Sequence, residues 1–163
     1  MVAVAQESTV VSVLMGEFKS TMSPHRLRTI LGSCVGIMLF DGRKKVGSLA
    51  HIVLPYSNNR ATPATVGKFA DTALPAMLEQ IREMGGGPRL TAKLAGGAAM
   101  FGIGSQTNNI GLLNKQAVEA LLKEAGIPII GQDLGGEKGR RVTFDIATGE
   151  VTVEIQDRPT IQF

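Results

Sequence analysis

Residues 31–55 read LGSCVGIMLFDGRKKVGSLAHIVLP. Two apolar runs, CVGIMLF and KVGSLAHIVLP, flank DGRK, whose Asp-Gly pair is a strong turn signal. The stretch predicts a β-hairpin buried on both faces. A four-residue connection over 41–44 sets Phe40 opposite Lys45 and, by the same register, Cys34 opposite His51. Directly opposed residues share a face, with Cβ atoms ~4.5–5.5 Å apart. The hairpin therefore predicts the single cysteine of the chain beside one of its two histidines.

Outward from the hairpin, VVSVLMG (10–16) and RLRTIL (26–31) read as strands, and YSNNRATP (56–63) as a loop. Thr62-Pro63 offers a cap and first-turn proline for a helix whose inward face carries Val66, Phe69, Ala70, Ala73, Leu74, Met77, Leu78 and Ile81. Pro75 predicts a kink in it, and GGGP (85–88) ends it. RLTAKLAGGAAMF reads as a strand running into a small-residue loop, continued by GIGSQTNNIGLLN. Asn114 is predicted to cap a second helix with Ala117, Val118, Leu121, Leu122 and Ala125 inward and Gly126 as its stop. IPIIGQD, RRVTFDI and VTVEI complete the strands, separated by LGGEKG and ATGE. Six to eight strands with two helices make an α/β layered fold rather than a regular βαβ series.

At 163 residues the chain is expected to form a single domain, residues 1–163. A net charge of +3, without basic clusters interleaved with aromatics, argues against nucleic acid and weakly suits an acidic protein surface. No apolar run approaches the ~20 residues of a membrane span, so no membrane insertion is expected. One cysteine excludes an intramolecular disulfide and fits a reducing compartment, and MVAVAQESTVVSV lacks a signal-peptide pattern; a cytoplasmic protein is expected. One Cys and two His make no zinc framework, and neither GIGSQT nor LGGEKGR has the ending or context of a phosphate loop. No cofactor or metal is expected. His25, in the polar SPHRLRT, reads as exposed, and Asp133 and Asp145 as turn or cap residues at strand ends.

A thiol beside an imidazole can act as nucleophile and base, forming a thiolate–imidazolium pair. A third polar group must fix the imidazole tautomer. Thr29, in RTILGSC, is the candidate, and backbone N–H groups of the Gly32-Ser33-Cys34 turn could bind an oxyanion. The competing reading makes Cys34 a small buried hydrophobe and His51 a satisfied core residue.

TILGSCVGIMLFD followed by KVGSLAHIVLP resembles the signature of CheD, the chemoreceptor glutamine deamidase family. The resemblance continues through KLAGGAAMF, NNIGLLN, AGIPIIGQDLGGEKGRRVTFD and TGEV, spanning most of residues 9–155. One departure is IGLLN, with Leu113 where the family often has Arg. The resemblance implies a layered α/β sandwich of mixed, largely antiparallel sheet with two main helices, similar to the deamidase domain of cytotoxic necrotizing toxins. It implies Cys34, His51 and Thr29 as catalytic residues. The implied activity is hydrolysis of particular glutamines on methyl-accepting chemotaxis receptors, and of glutamate methyl esters, through a Cys acyl-enzyme. It also implies a CheC-type phosphatase partner competing for the receptor-docking surface. Met100 and Phe101 would be an exposed contact for a helical partner, with core packing the other reading. The second functional reading is an adaptor that regulates CheC or receptors with little catalysis.

Overall fold

The structure, a computed structural model, describes residues 7–99 and 109–163. Its strands are β1 (Val10–Ser12), β2 (Phe18–Met22), β3 (Arg26–Leu31), β4 (Val35–Asp41), β5 (Val46–Ile52), β6 (Thr91–Gly96), β7 (Ile129–Leu134), β8 (Arg140–Asp145), β9 (Val151–Glu154) and β10 (Ile161–Gln162). Helices α1 (Ala70–Glu83) and α2 (Ile110–Glu124) fall on either side of β6 in the chain. One sheet runs β2-β5-β4-β6-β7 and the other β1-β3-β8-β9-β10. Among the described strands only the β1–β3 and β6–β7 pairs are parallel. This is an α/β layered sandwich of mixed, largely antiparallel sheet, as the sequence predicts.

Strand alternation in the hairpin generates two cores. Val35, Ile37, Leu39, Val46, Ala50 and Ile52 point to the helices and pack with Ala73, Leu74, Met77, Val118 and Leu122. Cys34, Met38 and Leu49 point the other way, against Leu27, Leu31, Val142, Phe144 and Val153 of the second sheet. β4 and β5 are therefore buried on both faces, which explains their nearly continuous apolar sequence.

The register differs from the expected one. Asp41 pairs with Val46 and the connection is 42–45, so Gly36, not Cys34, faces His51. The side chain of Asp41 builds the turn, its Oδ1 accepting from the amides of Arg43 and Lys44, while its backbone stays in the strand. The displacement is two residues, so the side-chain parity survives.

The chain entering α1 also differs. Thr62-Pro63 begins a 3-10 segment (Pro63–Lys68) that breaks at Phe69, not at Pro75. The amides of Val53 and Leu54 donate to Lys68 O, and the amide of Ala70 to Leu54 O, holding Phe69 extended. α1 then runs through Pro75, which lies on the exposed side where solvent can take the freed carbonyl. Strands β2 and β10 were not expected, and VVSVLMG is a strand only as far as Ser12.

Candidate active site

Three polar side chains meet at one end of the space between the sheets. Thr29 comes from β3, His51 from β5, and Cys34 from the turn that joins β3 to β4. They are 3, 4 and 7 % exposed. Thr29 Oγ1 lies 2.7 Å from Val13 O and 2.7 Å from His51 Nδ1. A hydroxyl has one proton. Two oxygens 2.7 Å apart need a proton between them, so Thr29 donates to Val13 O and must accept from Nδ1–H. His51 therefore carries its proton on Nδ1 and an open lone pair on Nε2. Among the described residues that nitrogen has no hydrogen-bond partner, although it is fully buried.

Cys34 lies diagonally from His51, because Gly36 occupies the opposed position. Diagonal neighbours stand ~7–8 Å apart, not ~4.5–5.5 Å. Accordingly no hydrogen bond links the thiol to Nε2. Burial pushes the Cys34 thiol up from its ordinary value and the His51 imidazole down. Both shifts favour neutral groups. Both directions run against the expected thiolate–imidazolium pair.

The turn before Cys34 is held through its carbonyls. Ala98 N–H donates to Gly32 O at 3.0 Å and Gly97 N–H to Cys34 O at 2.8 Å. Asn114 Nδ2 lies 3.5 Å from Ser33 O and 3.0 Å from Val53 O. Across a trans peptide the amide points opposite to the carbonyl, so the Ser33 and Cys34 amides aim away from these donors. Gly96 makes the approach possible. At φ +100° a Cβ there would lie 2.3 Å from Cys34 O. The neighbouring 135–139 loop is tied down by Arg140, which pairs with Asp133 at 2.9 Å and donates to the carbonyls of Gly135 and Lys138.

Beside His51 opens a cavity of about 220 Å³ whose lining includes Leu14, Met15, Arg28, Thr29 and Ile30. Leu14, Met15 and Ile30 are exposed there. Sequence reasoning did not find this apolar rim. Met100 and Phe101, the expected partner contact, lie outside the described residues. His25 is half-buried rather than exposed, its Nδ1 accepting from Thr9 N–H. Asp133 serves as the partner of Arg140 rather than as a cap. Asn114 is not a cap either; Asn109 caps α2, accepting from Leu112 N–H. Among the described residues no group of three or more His, Cys, Asp or Glu could hold a metal ion, and no helix is long and apolar enough to cross a membrane.

Fold and cluster together define an α/β sandwich that presents a cysteine, an imidazole and a hydroxyl at one end of its inter-sheet space. Residues 53–155 match the family model described as CheD chemotactic sensory transduction. The chain is 47% identical over 162 residues, covering 95% of it and 96% of the relative, to the probable chemoreceptor glutamine deamidase CheD of Desulforamulus reducens. It is 45% identical over 145 residues, 88% of this chain and 94% of the relative, to the protein of that name from Methanococcus maripaludis. The counterpart from Caldanaerobacter subterraneus is 45% identical over 152 residues, 91% of this chain and 94% of its own. This chain belongs to the CheD family. Among solved structures, the Bacillus licheniformis hypothetical protein YfiH is similar with a TM-score of 0.46 and 17% identity, over 71% of this chain and 49% of that one.

Proposed function

We propose that this chain, acting as one domain over residues 1–163, deamidates glutamine side chains of chemotaxis receptors to glutamate through a Cys34 acyl-enzyme. The observation that carries the proposal is the open, buried Nε2 of His51, held in the base-competent tautomer by Thr29 on the sheet face it shares with the chain's single thiol. The relatives' printed names supply the substrate class.

The chemistry proceeds in two halves. Cys34 attacks the amide carbon as its proton passes to His51 Nε2. The Ser33 and Cys34 amides face the developing oxyanion. The imidazolium returns the proton to the nitrogen, the C–N bond breaks, ammonia leaves, and a thioester remains. A water molecule, giving a proton to Nε2, then attacks the thioester and yields glutamate and the free thiol. A glutamate methyl ester enters the same cycle with methanol as the leaving group. No step requires a cofactor.

A receptor helix cannot enter the space between the sheets and must lie across its mouth. The exposed Leu14, Met15 and Ile30 offer apolar anchors on the His51 side. A CheC-type phosphatase that docks on the same mouth would compete with receptor. Such a role places the protein in the cytoplasm.

The test is Cys34→Ala with a receptor cytoplasmic fragment read by intact mass. Wild type adds about 1 Da per converted glutamine as NH₂ becomes OH; the variant adds none and keeps its melting temperature within a few degrees. Conversion by the alanine variant would remove Cys34 from the mechanism. Receptor signalling unchanged by the substitution would favour the adaptor reading.

A further inference from the structure

Asn114 sits five residues into α2, on the stripe that also carries Val118 and Leu122, and is 0 % exposed. A polar residue on the buried stripe of a helix requires partners. Its Nδ2 lies 3.0 Å from Val53 O and 3.5 Å from Ser33 O. The assignment of nitrogen to this side follows from chemistry, since an amide oxygen would face two carbonyl oxygens.

Val53 and Ser33 lie just beyond the last pair of the hairpin, Val35 with Ile52. Here the two strands part, and the ladder no longer fixes their separation. Ser33 adjoins the thiol residue, and Val53 is two positions from the imidazole residue. One amide group thus spans both sides of the reactive pair. α2 comes close enough because of Gly111, where a Cβ would lie 2.5 Å from Gly97 O. Gly97 in turn donates to Cys34 O. The Gly111 and Asn114 positions, one helical turn apart, therefore act on the same turn from two sides.

We propose that Asn114 is a positioning residue that sets the placement of Cys34 relative to His51. It touches neither substrate nor the reacting atoms; it acts through the Ser33 and Val53 carbonyls. Loss of its donor leaves the 32–34 turn to the Gly97 and Ala98 amides, and the thiol loosens in its nearly closed pocket. The consequence for turnover rests on the function proposed above, but the consequence for the thiol does not.

Two variants in the full-length protein test this. Asn114→Leu keeps the volume and removes the donor. Asn114→Asp keeps the shape and donates only while protonated; once ionised it faces two carbonyl oxygens. Three readouts are taken: kcat and KM on a receptor fragment, the rate of Cys34 alkylation by iodoacetamide, and the melting temperature. For Asn114→Leu, kcat should fall at least 30-fold with KM within threefold of wild type, and alkylation should be at least tenfold faster. For Asn114→Asp, the alkylation rate relative to wild type should climb with pH as the carboxyl ionises, with kcat falling in parallel. A folded Asn114→Leu protein with wild-type alkylation rate overturns the proposal. If that variant does not fold, an Asn114→Asp alkylation profile parallel to wild type overturns it. Altered alkylation in both variants, with no deamidation by wild type, would sustain the positioning role while removing the proposed function.

Discussion

Strand β5 carries two buried polar residues three positions apart, one on each of its faces, and they are treated differently. Ser48 faces the helices. Its hydroxyl lies 2.9 Å from Ser20 Oγ and 3.3 Å from Lys19 O, and Ser20 reaches Gln80 Oε1 on α1 at 2.6 Å. That network closes on itself. His51 faces the second sheet, and its network stops at an imidazole nitrogen with a free lone pair. Buried polar groups are satisfied where they serve the fold, because an unpaired one costs about 1–3 kcal/mol. Among the described residues three buried side-chain atoms lack a partner, His51 Nε2, Asn114 Oδ1 and Arg140 Nε; of these three only the imidazole nitrogen carries a lone pair basic enough to take a proton from a thiol.

Removing one hydroxyl from each network separates their roles. Thr29→Val removes the acceptor that holds Nδ1–H, so Nε2 can become protonated and unable to serve as base. Turnover should fall by about 10²-fold or more, the scale of a general base contribution. Ser48→Ala should leave turnover within about threefold and cost about 1 kcal/mol in stability, the usual worth of a buried hydrogen bond. Receptor deamidation beside urea unfolding of both variants provides the check. Equal losses of activity would mean that both networks are merely structural.

A smaller effect separates the two pictures of the thiol. Burial raises the Cys34 pKa, so the folded protein holds the thiol proton more tightly than the unfolded chain does. The midpoint of the iodoacetamide rate against pH should therefore lie above that of the urea-unfolded chain. By linkage, this thiol lowers folding stability as pH rises through the ordinary thiol value. The depressed imidazole lowers it as pH falls through about 6.5. A folded-state midpoint below the unfolded one would restore the thiolate–imidazolium pair.

The sequence made the hairpin and both helices legible, since a DG turn and 3.6-residue apolar spacing are local signals. It also brought Cys34, His51 and Thr29 together as candidates. It misjudged the hairpin register because Asp41 serves as turn-maker through its side chain and strand residue through its backbone. The error was even in number, so the shared face of Cys34 and His51 survived while their separation did not. β2 was missed because FKSTM lacks an apolar alternation; its half-buried Ser20 is tied to α1 by a hydrogen bond. Asn114 was read as a cap because asparagine favours helix starts. The signal pointing the other way was its place four before Val118 on the inward stripe, and its partners come from residues 61 and 81 positions away.

The tautomer of His51 is the hinge of the whole account, and nitrogen NMR of the protein labelled with ¹⁵N-histidine reads it directly. Only His25 and His51 contribute signals, and His25→Gln assigns them. Near neutral pH, His51 should show a protonated Nδ1 and a bare Nε2, and it should take up its second proton only below the ordinary imidazole range. A proton on Nε2, or an imidazolium at neutral pH, would contradict the account.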